Sequence, residues 1–155
     1  MPTITPFLWF DTQAEEAMNF YVSIFPRSKV VTVSRAGDKV MSVQFEIQGQ
    51  PFAAMNGGAH VKFTDATSFL ISCETQEEID TLWAKLTAGS GHPGQCGWLK
   101  DKFGVSWQVV PSAIGQLLGG GGDPARAQRV VAALMTMTKI DLATLQRAYE
   151  GTGRA

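Results

Sequence analysis

The sequence predicts an α+β fold built from a strand–helix–strands unit that occurs twice and is followed by a helical tail. Three observations predict it. The stretch from Thr5 matches the stretch from Thr67 without a gap, at a shift of 67 − 5 = 62, pairing Phe7 with Phe69, Leu8 with Leu70, Glu15 with Glu77, Glu16 with Glu78 and Tyr21 with Trp83. The strand ends match again at a shift of 104 − 49 = 55, pairing Gly49 with Gly104, Phe52 with Trp107 and Ala53 with Gln108. A self-match of this spacing marks a duplicated supersecondary unit. Third, Cys96 to Pro111, CGWLKDKFGVSWQVVP, reads as a strand to Lys100, a turn over Asp101 to Gly104 and a returning strand.

The elements follow in order. Ile4 to Phe10 is apolar and aromatic and reads as a strand. Ala14 to Phe25 repeats Ala17, Phe20, Tyr21 and Ile24 at helical spacing; Asp11 or Thr12 is expected to cap it and Pro26 to stop it. Lys29 to Arg35 and Val40 to Gln48 read as strands about the turn Ala36-Gly37-Asp38, and Pro51 to Asn56 as a fourth. Gly57 to Asp65 is a loop carrying His60. Thr67 to Cys73 then reads as a strand and Thr75 to Leu86 as a helix with Ile79, Leu82, Trp83 and Leu86 on one face. The loop Ala88 to Gly94, which carries His92, leads to the hairpin, so the second copy is one strand short unless that loop hides a degenerate one. Ile114 to Leu118 looks helical. Gly119 to Gly122 reads as a linker, after which Asp123-Pro124 and Asp141 each start a helix and Gly151 closes the last. These helices must bury their apolar faces on the body or on a partner subunit. The expected organisation is a body over residues 1–118, in modules 1–65 and 66–118, and a tail over 119–155.

Composition narrows the function classes. An apolar content of 45% supports a sizeable core, and a formal net charge of −1 supplies no field for nucleic acid or an anionic membrane. No apolar stretch approaches the roughly 20 residues of a membrane span. The start MPTITPFLWFD lacks the basic and small-residue features of a signal peptide. Cys73 and Cys96 form no CxxC pair, and a cytoplasmic protein with reduced thiols is expected.

Several stretches carry a family resemblance: FYVSIFP, NGG at 56–58, CETQEEID, CGWLKDKFGVSWQVVP and AQRVVAALMTMTKID. They spread over nearly the whole chain, and CGWLKDKFG is the most specific. On them the chain resembles the vicinal oxygen chelate superfamily of glyoxalases, ring-cleaving dioxygenases and antibiotic-resistance binding proteins. Within it, the chain is similar to the PhnB-like family, often labelled 3-demethylubiquinone-9 3-methyltransferase. The resemblance implies paired βαβββ modules whose mixed sheet curls around a cavity, and a homodimer.

It also implies where a metal would sit. Metal-using members take His or Glu from the first and last strands of each module. Those positions are Pro6 and Ser68 on the first strands, and Ala53 and Gln108 on the last. A first-row divalent metal wants imidazole, carboxylate or thiolate. Proline and alanine offer no side-chain ligand, and serine and neutral glutamine offer poor ones, so no metal and no cofactor is expected. His60 and His92 are read as solvated loop residues rather than a substitute pair.

Alternation along the strands sorts the cavity side. With Pro6 inward, Leu8 and Phe10 follow; with Ser68 inward, Leu70 and Ser72 follow; with Gln108 inward, Ser106 and Val110 follow. The candidate ligand-binding residues are therefore Phe10, Ser68, Leu70, Ser72, Ser106 and Gln108. They make a mostly apolar surface with a few neutral hydrogen-bonding groups, suited to a small, largely apolar molecule, or else they simply fill the groove. Cys96 is read as a small apolar filler, with a reactive thiol beside the cavity as the alternative, and Trp98 as a core or interface residue that alternatively stacks on a ligand. Lys100 and Lys102, which flank Asp101, are read as a solvated turn.

No Asp, Glu or His falls on the inward positions, which favours binding over acid–base catalysis. Nor does a glycine-rich turn join a strand to a helix, as a nucleotide-type methyl donor such as S-adenosylmethionine would want. The expected function is metal-independent binding of a small molecule. The alternatives are an enzyme of the superfamily (a metal-dependent lyase, isomerase or dioxygenase-like catalyst), the labelled methyltransferase, or an assembly module with a filled groove.

Overall fold

The computed structural model describes residues 1–152, so the last three positions of the expected tail segment lie outside the described residues. The chain divides into two compact units, Met1–Lys62 and the residues from Phe63 onward. The helical tail falls within the second unit. The boundary lies three residues before the expected one.

The first unit runs β1 (Phe7–Phe10), α1 (Ala14–Ile24), β2 (Lys29–Ala36), β3 (Lys39–Ile47) and β4 (Gln50–Asn56). Its sheet has the order β1-β4-β3-β2, with β1 parallel to β4 and the other pairs antiparallel. Helix α1 covers one face because Ala14, Ala17, Met18, Tyr21 and Ile24 recur at helical spacing, and all five are buried. Stacked rings tie helix to sheet: Tyr21 and Phe45 centroids lie 6.3 Å apart, and Phe45 and Phe52 lie 5.5 Å apart. The expected local cap from Asp11 or Thr12 is replaced by a distant one. The Ala14 backbone N–H donates to Asn56 Oδ1 at 2.9 Å, and Asn56 Nδ2 donates to the Val40 carbonyl at 3.1 Å. The asparagine of the NGG stretch thus starts the helix from the end of β4.

The second unit repeats the plan with β5 (Phe69–Cys73), α2 (Gln76–Thr87), β6 (His92–Pro93), β7 (Trp98–Lys100) and β8 (Ser106–Pro111). Its order, β5-β8-β7-β6, is that of the first sheet. The degenerate strand is β6, two residues inside the Gly/Ser/Pro loop. Both modules are therefore βαβββ, and the α+β class read from the sequence holds. Thr75 caps α2, its side chain accepting from the Glu78 N–H, and Ile79 and Leu86 are fully buried beneath the helix.

The repeat is not gapless. Parallel pairing sets Phe7 opposite Ala53 but Leu70 opposite Gln108. The helices keep the shift of 62, Ala17 and Ile79 being equivalent buried positions, as are Ile24 and Leu86. The first strands are offset by one more residue: Phe10 and Cys73 share the helix-covered face, 73 − 10 = 63. A slip of one residue reverses every side chain of a strand. Leu8 and Phe10, expected on the cavity side, are accordingly 6% and 3% exposed beneath α1, while Phe7 is 60% exposed on the uncovered face.

The tail comprises α3 (Ile114–Gly119), α4 (Pro124–Leu134) and α5 (Leu142–Glu150), the last two capped by Asp123 and Asp141 as the sequence indicates. The glycines do not form a slack linker. Gly120–Gly122 make a tight turn with φ of +63°, +60° and +88°, and Gly120 is the C-cap of α3. The tail docks on its own unit: Leu117, Val130, Ile140 and Leu145 form one buried cluster with Val110 of β8. Gln76 stitches the two together, donating to the Ile140 carbonyl at 2.9 Å while accepting from the Leu142 N–H at 2.8 Å. Lys139 pairs with Asp80 at 2.8 Å.

Candidate functional site

The second sheet presents the denser set of polar groups on its uncovered face, and the hairpin β7–β8 holds that face in shape. Asp101 begins the turn and is 2% exposed. Its Oδ1 accepts from the backbone N–H groups of Phe103 (2.9 Å) and Val105 (3.0 Å), and its Oδ2 accepts from Trp107 Nε1 (2.9 Å). The stretch expected as a solvated turn therefore turns about a buried carboxylate. A buried charge satisfied by three donors is rigid, which fixes the register in which β7 and β8 display their side chains.

Register partners share a face. Trp98 stands opposite Gln108, which stands opposite Leu70; one step along, Ser106 stands opposite Lys100, and Lys100 opposite His92. Ser68 joins the first row, its Oγ accepting from Gln108 Nε2 at 2.9 Å. Leu70 is 56% exposed, Ser72 is exposed, and Ser106 is 1% exposed. Five of the residues singled out from the sequence, Ser68, Leu70, Ser72, Ser106 and Gln108, thus lie on the uncovered face of one sheet. Phe10 does not: it is core in the first unit.

A cleft of about 670 Å³ opens over β6 and β7, lined by Asp65, His92, Pro93, Gly94, Gln95, Cys96, Trp98, Leu99 and Lys100. Sequence reasoning passed over Asp65, and no local signal marks it: it is one loop residue 41 positions from its partner. Ser106 Oγ donates to Asp65 Oδ1 at 2.7 Å, and Lys100 Nζ lies 3.5 Å from the same oxygen. The hydroxyl of Ser106 foremost, then Lys100, holds the Asp65 carboxyl below its ordinary value, so it is ionised at neutral pH.

Cys96 borders the cleft in an unusual conformation, φ +57°, a region that disfavours side chains other than glycine. The tail holds it there. Its N–H donates to the Met137 carbonyl at 2.9 Å and the N–H of Gly97 to the Thr138 carbonyl at 2.8 Å. Its thiol lies 3.6 Å from the Leu134 carbonyl and 3.7 Å from Met135 Sδ. Cys73 is buried, and desolvation, with the carboxylates of Glu78 and Glu74, pushes its thiol up to about 11. In the first unit Trp9 Nε1 donates to the Gly58 carbonyl at 3.0 Å and His60 sets its ring edge on Trp9, centroids 5.4 Å apart; His60 is thereby an aromatic contact of the loop.

The residues do not fit a metal at the position the fold suggests. The pairs that face one another are Phe7 with Ala53 and Leu70 with Gln108. Correcting the register of β1 by one residue (68 − 63 = 5) replaces Pro6 by Thr5, a hydroxyl that ligates no better than Ser68. Among the described residues no three His, Cys, Asp or Glu side chains gather in a group that could hold an ion. Likewise no helix among them is long and apolar enough to cross a membrane.

Comparisons with known proteins bear on the family and the fold. The family model described as 3-demethylubiquinone-9 3-methyltransferase matches residues 2–110, leaving the tail outside. A putative 3-demethylubiquinone-9 3-methyltransferase, a PhnB protein from Bacillus cereus, is 39% identical over 70% of this chain and 99% of its own, with a TM-score of 0.64. A protein from Pseudomonas aeruginosa is 18% identical over 72% of this chain and 98% of its own, with a TM-score of 0.60. The fosfomycin resistance protein FosX of Listeria monocytogenes, solved with Mn(II) and sulfate, is 14% identical over 76% of this chain and 96% of its own, with a TM-score of 0.53. These last two share the fold. A comparison with curated protein sequences returns no match. A family match across well over half of the chain, and a 39% identical relative covered almost end to end, lead to one conclusion: the chain belongs to the 3-demethylubiquinone-9 3-methyltransferase family, a PhnB-like member of the vicinal oxygen chelate superfamily.

Proposed function

We propose that this chain is a metal-independent small-molecule-binding protein whose ligand lies on the uncovered face of the second sheet. The observation that carries the reading is the Gln108–Ser68 hydrogen bond at 2.9 Å. Where metal-using relatives would point two ligands at an ion, two neutral side chains satisfy one another. Around them stand an exposed Leu70, the indole of Trp98 and a cleft of about 670 Å³, a size common for small-molecule sites. The acid and base that border the cleft, Asp65 and Lys100, are engaged with one another at 3.5 Å, which supports sequestration or sensing over catalysis.

The test is a melting screen of the protein against small aromatic and aliphatic molecules, run after chelation and again with zinc, nickel or manganese. A ligand that raises the melting temperature equally with and without metal is the expected result. One equivalent of metal retained after dialysis, or binding that requires metal, overturns the reading. The family description favours one other reading, methyl transfer. Calorimetry with S-adenosylmethionine checks it: micromolar binding would establish the transferase, and we expect no heat.

A homodimer is part of the proposal, but its basis shifts. The tail buries Val130, Ile140 and Leu145 in cis but leaves Val131 and Met135 44% and 65% exposed, so self-association is supported by that surface and by the edge strand β2, where Val30 and Val31 are 42% and 47% exposed.

A further inference from the structure

The chemistry of the cleft narrows the ligand class, an inference that rests on reading the second sheet as a ligand-binding surface. Asp65 and Lys100 stand side by side at 3.5 Å with side chains 64% and 45% exposed. Ser106, 1% exposed, donates to Oδ1 of Asp65, so the carboxylate is held at one oxygen while Oδ2 has no hydrogen-bond partner among the described residues. Lys100 has Asp65 as its only recorded partner among the described residues, which leaves ammonium protons to give. A fixed acceptor and a fixed donor therefore sit next to each other.

Their charges cancel locally. A simple anion over Lys100 would meet the Asp65 carboxylate, and a simple cation over Asp65 would meet the ammonium. A purely apolar ligand would strip water from both and return no hydrogen bond, which is costly. The molecule that suits both groups is neutral and offers a donor beside an acceptor. Trp98 sets its shape. It lies two residues from Lys100 on β7, on the same face and about 6.6 Å along the strand, roughly the width of a fused two-ring system.

We propose that the cleft takes a neutral, planar cyclic amide, its ring against Trp98, its N–H donated to Asp65 Oδ2 and its carbonyl accepting from Lys100 Nζ. Calorimetry with 2-quinolinone tests this against two controls, N-methyl-2-quinolinone, which lacks the donor, and quinoline-2-carboxylate, which is anionic. The parent compound is expected to bind, and each control to bind about tenfold more weakly or worse, the value of one charge-assisted hydrogen bond. Asp65→Asn and Lys100→Met are each expected to lower affinity for the parent about tenfold with unchanged melting temperature. Equal affinity for the parent and the N-methyl compound would overturn the amide assignment while leaving a binding surface in place. Preference for the carboxylate would overturn it in favour of an anion site. Absence of heat with all three compounds would also overturn it, whereas the broader reading falls only on the melting screen and metal analysis described above.

Discussion

Removing the carboxylate of Asp101 tests what holds the second sheet in register. Alanine at this position leaves three N–H donors without their acceptor. The Phe103 N–H lies in the turn and can recover water, at about 1 kcal/mol for the lost bond, but the Val105 N–H, on a residue 3% exposed, cannot, and costs about 1–3 kcal/mol. Trp107 Nε1 cannot, because Trp107 is 3% exposed; an orphaned buried donor costs a further 1–3 kcal/mol or so. Asp101→Ala should therefore destabilise by about 3–7 kcal/mol, a fall of roughly 6–28 °C for a domain of this length. Asp101→Asn should cost about 2–3 kcal/mol, since its NH2 must face at least one donor. Urea unfolding followed by tryptophan fluorescence measures both, and the cycle with Trp107→Phe isolates the buried bond. A loss below about 1 kcal/mol for Asp101→Ala, with an unchanged urea slope, would refute the assignment of the turn to this carboxylate.

Other outcomes follow from the same packing. Asn56→Ala should cost about 1–2 kcal/mol through the lost cap of α1, read as a lower unfolding midpoint of the first unit. Gly57→Ala places a Cβ inside the Trp9 ring and should cost about 1–3 kcal/mol, with the shifted indole visible in near-ultraviolet circular dichroism. Gln76→Ala cuts both stitches to the tail and should speed amide exchange and proteolysis across α5 while the sheet stays protected. Raising pH should leave stability untouched by Cys73 up to its ordinary value of 9.0 and lower it from there to about 11. The unfolded thiol releases its proton first, and Cys73→Ser or Cys73→Ala should flatten that slope.

Much of the architecture could be read directly. Helical spacing at Ala17, Tyr21 and Ile24, the caps Asp123 and Asp141, and the hairpin about Asp101 to Gly104 are local signals, and the chain obeys them. The face of β8 that carries Ser106 and Gln108 was legible too, because alternation from Gln108 needs no knowledge of a partner strand, but Val110 of the same row is buried in the tail cluster. What failed was anything that depends on register between distant segments. A shift of 62 fits the helices and misses the first strand by one residue, which was enough to put Phe10 in the wrong layer. Asp65, Asn56 and Gln76 act across 41, 42 and 64 positions respectively, and no spacing rule joins residues so far apart. Asp101 looked solvated because acidic residues in turns usually are; only the fold brings the Trp107 indole to it.

The bend at Cys96 and Gly97 leans on Met137 and Thr138, residues beyond the stretch that the family model matches. The cleft is thus a joint product of the matched sheet and the tail that braces it. A relative without that buttress has to brace the same elbow by other means, so ligand preference within the family can drift through substitutions that never meet the ligand.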